Sequence, residues 1–204
     1  MTEIEPPLLP TFMEFPKIAR LSRDCIITEK IDGTNGSILI GDECKPYLLP
    51  DGQAVPFLVG SRNRWLTLEA DNFGFARWAY THADELLKLG PGHHFGEWWG
   101  SGIQRGYGLV KGEKRFSLFN VTRWKEARDN GTLPLCVSLV PILYSGIFHS
   151  HEVEEALDRL RLMGSFAAPG FMKPEGVVVW HSAARVLFKK TLEKDEMPKG
   201  QVAK

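Results

Sequence analysis

Nowhere does the sequence carry an apolar run near the roughly 18 to 20 residues that a membrane helix needs, so no membrane partner is expected. Its start, Met1-Thr2-Glu3-Ile4-Glu5-Pro6-Pro7, is acidic and proline-containing, unlike the basic and then apolar opening of a signal peptide. Cysteine is scarce. Cys25, Cys44 and Cys136 stand far apart and offer neither a disulfide framework nor a zinc spacing, and they fit a reducing, cytoplasmic setting. His93-His94 and the His149/His151 pair also lack a second ligand pair at a zinc spacing. An excess of charge is missing too: 25 basic and 25 acidic residues cancel, so a nucleic-acid partner would have to be met by a local patch. Internal repeats and low-complexity segments are absent. What remains is an ordinary globular composition, 43% hydrophobic and 25% charged over 204 residues, enough for a substantial core in one large domain or two small ones.

The stretch that organises the chain is Thr28-Glu29-Lys30-Ile31-Asp32-Gly33-Thr34-Asn35-Gly36, between the apolar runs Cys25-Ile26-Ile27 and Ser37-Ile38-Leu39-Ile40. It reads as a hairpin, two strands joined at a glycine-marked bend with a lysine at the strand's mouth. An isolated lysine at a strand end is usually only a solvated one. Here an apolar strand delivers a lone amine beside an acid, a glycine turn and an amide, which looks like a built site. A nucleophilic lysine attacks as the free amine, and about one ordinary lysine in a thousand is neutral near pH 7.4. Shifting that balance takes about 4 kcal/mol from burial or neighbouring cations, which the rest of the chain must supply.

Taken in order, Phe57-Leu58-Val59-Gly60 reads as a strand after an Asp51-Gly52 turn, ending at the basic Ser61-Arg62-Asn63-Arg64. From Asp71 to Leu89 the apolar positions Phe75, Trp78, Ala79, Ala83, Leu86 and Leu87 recur at helical spacing. They predict one long helix with an Asp71 or Asn72 cap and a stop at Gly90-Pro91-Gly92. His94-Phe95-Gly96-Glu97-Trp98-Trp99-Gly100 is a short strand in which Glu97 needs a partner, a ligand hydroxyl or a buried salt bridge, because an unpaired carboxylate between apolar neighbours is costly. The glycine run Ser101 to Gly108 lacks the ending of a phosphate-binding P-loop and reads as a flexible surface loop. Arg115 to Val121 alternates as a strand, Trp124 to Asn130 predicts a short helix closed by Gly131, and Leu135 to Leu143 predicts a strand interrupted at Pro141. A second amphipathic helix follows, with Ser150 as its cap and Val153, Ala156, Leu157 and Leu160 on one face. Glu175-Gly176-Val177-Val178-Val179 and Arg185 to Lys190 form a closing hairpin.

Glu29-Lys30-Ile31-Asp32-Gly33-Thr34-Asn35 resembles motif I, Lys-x-Asp-Gly, of the covalent nucleotidyltransferases, the superfamily of polynucleotide ligases and capping enzymes. In the family's order there follow Ser61-Arg62 for motif Ia, Phe95-Gly96-Glu97 for motif III, Phe116 to Phe119 for motif IIIa, Glu175-Gly176 for motif IV and Lys189-Lys190 for motif V. One such pattern arises by chance. Six in order from Lys30 to Lys190 do not, and the wording is most similar to that of the small ATP-dependent RNA ligases.

This resemblance implies an α+β fold of two twisted antiparallel sheets with flanking helices, ATP-grasp-like, with the nucleotide pocket between the sheets. It implies an adenylyltransferase domain over residues 1–191 and a polar tail over 192–204. It makes Lys30 the nucleophile toward ATP, with Lys189 and Lys190 on the phosphates, and Glu29, Asn35, Arg62, Glu97, Phe119 and Glu175 around the nucleotide. Glu97 would take the ribose and Phe119 the purine, Phe116 being nearly as good a choice. Glu175, with Asp32, would hold Mg2+ or Mn2+. Adjacent Lys189 and Lys190 depart from the family's Lys-x-Lys, and in a regular strand they point to opposite faces. The partners implied are RNA ends, a 5′-phosphate and a 3′-hydroxyl, with a protein partner supplying an end-binding domain. A capping guanylyltransferase is disfavoured because 14 residues after Lys190 leave no room for an OB-fold domain, and 29 residues before Lys30 leave none for the extra domain of an NAD-dependent ligase. A nucleotide- or RNA-binding module without catalysis is the remaining alternative, and the intact lysine and glutamates weigh against it.

Overall fold

A computed structural model describes residues 11–49, 52–193 and 195. Asp51 of the expected Asp51-Gly52 turn, the acidic start and residues 194 and 196–204 of the expected tail lie outside them. In chain order the strands are β1 (Asp24–Lys30), β2 (Thr34–Ile40), β3 (Tyr47–Leu48), β4 (Ala54–Val55), β5 (Leu58–Gly60) and β6 (Trp65–Leu66). Then come helices α1 (Phe75–Thr81) and α2 (Ala83–Leu86), strands β7 (Gly92–Gly100) and β8 (Lys114–Leu118), and helix α3 (Val121–Asp129). Strands β9 (Val137–Leu139) and β10 (Ile142–Ile147), helix α4 (Ser150–Met163) and the hairpin β11 (Gly176–His181) with β12 (Val186–Thr191) complete the fold. Among the described residues no helix is long and apolar enough to cross a membrane.

Two sheets carry the architecture. One has four antiparallel strands in the order β10-β1-β11-β12, the other six in the order β6-β5-β2-β7-β8-β9, and β3 and β4 form a small separate ribbon. All pairings in the larger sheet are antiparallel except β8 with β9, which run parallel. The expected opening hairpin is not one: β1 pairs with β10 and β11, whereas β2 pairs with β5 and β7. Residues 31–33 therefore step from one sheet to the other, and Lys30 ends the first sheet where the second begins. Pro141 makes the second crossing. The expected strand over Leu135 to Leu143 divides around it into β9 of one sheet and β10 of the other, as suits a residue with no N–H to give a ladder.

Side chains alternate along each strand, and each sheet packs its outer face on helices. Ile38, Ile40, Trp98, Phe116 and Leu118 of the larger sheet join Phe75, Ala76, Ala79 and Leu86 of α1 and α2 in one core. Cys25, Ile27, Val177 and Val179 of the smaller sheet join Val153, Ala156, Leu157 and Leu160 of α4 in another. A third cluster, Ile31, Trp99, Tyr107, Val140 and Ala168 among its members, closes the space where the inner faces meet. Gly36 and Gly96, paired across β2 and β7, are required by this packing: a Cβ on either would stand 2.6–2.7 Å from the rings of Phe75 and Phe116.

The helix expected over Asp71 to Leu89 is broken. It starts later, after Phe73 and Gly74 take left-handed conformations, with the Asp71 carboxylate accepting the amides of Ala76 and Arg77 at 2.7 and 3.1 Å. It divides at His82, which leaves the helical conformation and whose ring nitrogen lies 2.8 Å from the Trp78 carbonyl oxygen, and Leu86 and Leu89 beyond the break are buried in the core. Ser150 is the first helical residue of α4 rather than its cap; His149 holds that position, without a side-chain hydrogen bond.

Candidate active site

Lys30 is the last residue of β1 and faces the inner side of its sheet, and its ammonium forms an ion pair with Glu175. That glutamate lies just before β11, whose Gly176 pairs with Lys30, and it is 4% exposed. From the facing sheet comes Glu97, on the inner side of β7. It is 9% exposed and accepts the Gly33 amide at 3.0 Å and the Asn35 side-chain amide at 3.1 Å. Asn35 in turn accepts from Arg62 Nε at 3.0 Å. Amides of the turn after Lys30 and of β2, rather than a salt bridge, are thus among the partners of Glu97. The approach is close enough to demand glycine there, since a Cβ on Gly33 would stand 2.5 Å from the Trp98 carbonyl oxygen and 2.7 Å from Trp99 Cβ.

Asp32 is held from the glycine run. Arg105 donates to its carboxylate at 3.1 Å and also to the Lys173 carbonyl oxygen at 3.0 Å, while Tyr107 Oη accepts the Asp32 amide at 2.8 Å. Arg105 therefore ties the turn after Lys30 to the segment leading into Glu175. The run is no loose surface loop: Ile103 and Tyr107 are buried, and Tyr107 adopts a left-handed backbone. Burial pushes the Tyr107 phenol above its ordinary range, so it stays a neutral hydroxyl. The apolar Ile103 and Tyr107 within a glycine-rich stretch were the signal in the sequence that this loop is anchored.

Phe116 and Phe119 fall on opposite faces of the β8 ridge. Phe116 is fully buried against Phe75, with ring centroids 4.9 Å apart. Phe119 follows the strand, its amide bonded to the Phe95 carbonyl oxygen at 2.9 Å, and sits with Phe95 and Glu97 on the inner face, partly exposed. Of the two adjacent lysines, Lys189 pairs with Val178 and shares the inner side with Lys30. Lys190 pairs with Val177 on the opposite, α4-facing side, where it forms an ion pair with Glu154.

Two expected site residues are thus not brought to the group. Lys190 is turned away by strand alternation and held by α4. Glu29 points to the other side of β1 from Lys30, is 1% exposed, and accepts the amides of Phe166 and Ala167 at 2.8 and 2.9 Å. It anchors the loop after α4. Burial pushes the Glu29 carboxyl above its ordinary range, partly offset by the hydrogen bonds it accepts. A carboxyl that holds its proton more tightly folded than unfolded adds stability at low pH and loses it as pH rises through the folded value. Glu29→Gln, which cannot ionise, is therefore expected to melt higher relative to the parent as pH is raised from about 5 to about 8. Thermal melts of both proteins across that range check it, and a constant difference would refute it.

For a divalent cation the fit is that of a substrate-assisted site. Among the described residues no group of three or more His, Cys, Asp or Glu stands ready to hold a metal. Mg2+ and Mn2+ bound with nucleotides commonly take only one or two protein carboxylates and fill the rest of their shell with phosphate oxygens and water. Glu175 and Asp32 suit that requirement.

A lysine–carboxylate pair thus stands at the end of one sheet, where residues 31–33 carry the chain to the other. The family model described as RNA ligase matches residues 23–191, and the chain belongs to the RNA ligase family. Among solved structures, a lysine-to-alanine variant of Naegleria gruberi RNA ligase with ATP and Mn matches with a TM-score of 0.51 at 20% identity, over 84% of this chain and 50% of that one. A glutamate-to-alanine variant of that ligase with ATP and Mn gives 0.55 at 21%, over 94% and 63%, and a ligand-free aspartate-to-alanine variant 0.53 at 21%, over 83% and 49%. At such identities the likeness is one of fold, and this chain spans about half the length of the first of them. No curated protein matches the chain.

Proposed function

We propose that the chain is the adenylyltransferase domain of an ATP-dependent RNA ligase. The observation that carries this reading is the Lys30–Glu175 pair at the junction of the two sheets, flanked by the Glu97–Asn35–Arg62 series, in a chain of the RNA ligase family. In the first step Lys30 Nζ attacks the α-phosphorus of ATP, an N–P bond forms, the bond to the β-phosphate breaks and pyrophosphate leaves. An RNA 5′-phosphate oxygen then displaces Lys30, and a 3′-hydroxyl attacks the activated 5′-phosphate to expel AMP and seal the strand.

Lys30 must part from Glu175 and lose its proton before it attacks. A Mg2+ or Mn2+ ion held by Glu175, with Asp32, would supply positive charge at the phosphates and take over the carboxylate that holds the amine. Lys189 stands on the same side of the sheet to meet charge that develops on the phosphate oxygens. Glu97, on the facing sheet, would orient the sugar, Arg62, in the loop after β5, would help hold the nucleotide and the RNA end, and Phe119 would offer a ring face to the base. A separate domain, on another segment or on a partner protein, would then supply the remaining RNA-end contacts.

Labelled ATP and labelled GTP, each offered with Mg2+ and followed by denaturing electrophoresis, test this reading. Label from ATP alone is expected. Label from GTP would indicate a capping-type enzyme, and none from either a binding module. Glu175→Ala is further expected to slow label uptake at least about 10-fold more than it weakens ATP binding, since a group acting on developing charge stabilises the transition state above the ground state. Equal losses in single-turnover rate and in ATP affinity would make Glu175 a binding or folding residue.

A further inference from the structure

We infer that Trp65, His93 and Phe95 form a platform on which bases of single-stranded RNA stack, beside the candidate nucleotide site; this rests on the ligase reading above. Register puts the three on one face. Trp65 pairs with Gly60, Gly60 with Ser37 and Ser37 with Phe95, so all lie on the inner side of the six-stranded sheet together with Asn35 and Glu97, and His93 follows two residues before Phe95. The rings are in contact. Trp65 and His93 stack with centroids 5.9 Å apart and planes 28° apart, and His93 and Phe95 lie 4.0 Å apart at 35°.

Gly60 explains how an indole from β6 reaches across the sheet. A Cβ there would stand 3.2 Å from Trp65 Cε3 and Cζ3, so the glycine lets the indole lie over β5. The rings nevertheless leave much surface to solvent: Trp65 is 49% exposed and Phe95 53%. Set side by side on a sheet, such open aromatics suit nucleobases, every one of which has a π-face to offer. Charge agrees with this occupant. Arg62 and Arg64 lie in the loop joining β5 to β6, Arg62 donating to Asn35 and Arg64 to the Ala70 and Asp71 carbonyl oxygens, and among the described residues neither forms an ion pair with a carboxylate. Their charge, not neutralised by a carboxylate, suits the phosphodiesters of a stacked strand. Partial desolvation beside Trp65 and Phe95 lowers the proton affinity of His93, favouring the neutral ring.

The experiment measures binding of a 3′-fluorescein-labelled, 12-nucleotide single-stranded RNA by anisotropy, without ATP, beside label uptake from ATP without RNA. Trp65→Ala and His93→Ala are each expected to weaken RNA binding about 5- to 150-fold, the range that one base–aromatic stack is worth. Trp65→Phe should retain most of the affinity, whereas Trp65→Leu, equally apolar but without a ring face, should lose it. This pair keeps the test decisive if an alanine variant fails to fold. Label uptake from ATP should be unchanged in the variants. RNA affinity unchanged in Trp65→Leu and His93→Ala would overturn the platform, and so would a change confined to the oligomeric mass in solution, which would make the strip an interface between copies. If the parent takes up no label yet RNA binding falls in the variants, the ligase reading fails and the platform stands.

Discussion

Incubated with α-labelled ATP and Mg2+, the purified protein is expected to carry label through denaturing electrophoresis, and Lys30→Ala to reduce that label to background. The bond expected is a phosphoramidate, stable to alkali and released by acid, which separates it from an ester or acyl phosphate. Lys30→Arg should fail as completely, because a guanidinium stays protonated and offers no free amine. Neither change should unfold the protein: Lys30 sits at the end of β1, and its side chain forms an ion pair with Glu175 rather than filling a core. Removing the lysine does leave that glutamate's buried carboxylate without this partner, so a modest fall in melting temperature is expected. Label that survives either substitution would place the nucleophile elsewhere.

The second large effect separates two neighbouring residues of one strand. Lys189→Ala is expected to slow adenylylation by about 30- to 1000-fold, or about 2 to 4 kcal/mol of barrier, the cost of losing a charge-assisted contact to a phosphate. Lys190→Ala should leave this step nearly unchanged. Its ammonium is engaged by Glu154 on the α4 side, and that exposed pair is worth little to stability. Single-turnover rates of the two variants decide the matter. Equal losses would mean that both lysines reach the phosphates, and that β12 departs in the working enzyme from the regular pairing seen along β11.

Much of the site was legible because its chemistry is local. Lys30 before an Asp-Gly turn, a glutamate stranded among apolar residues at 97 and another at a glycine-led strand start at 175 each stand out as residues a core would not choose. The broken helix after Asp71 was not legible. Its apolar spacing fits one straight helix as well as two short ones, and the strands that the two pieces pack against are formed by residues elsewhere in the chain. Trp65 and His93 carried no local signal at all, since 27 positions separate two rings that meet only once β5 and β2 lie between their strands.

By itself the sequence determined the order of the candidate residues, the apolar stripes that make cores, and the strand alternation that sets Lys189 against Lys190 and Phe116 against Phe119. Only the tertiary structure decided which member of each pair faces inward. Alternation is symmetric, and a strand apolar on both sides does not state which side will meet a helix. Docking of α1 and α2 on one sheet and α4 on the other broke that symmetry: it buried Phe116, drew Lys190 to Glu154 and left Phe119 and Lys189 facing inward. The step of the chain between sheets at residues 31–33 is of the same kind. An apolar strand, a glycine turn and a second apolar strand describe a hairpin and a crossover equally well, and partners more than a hundred residues away, β10 and β11, took β1 from β2 and left Lys30 at the seam.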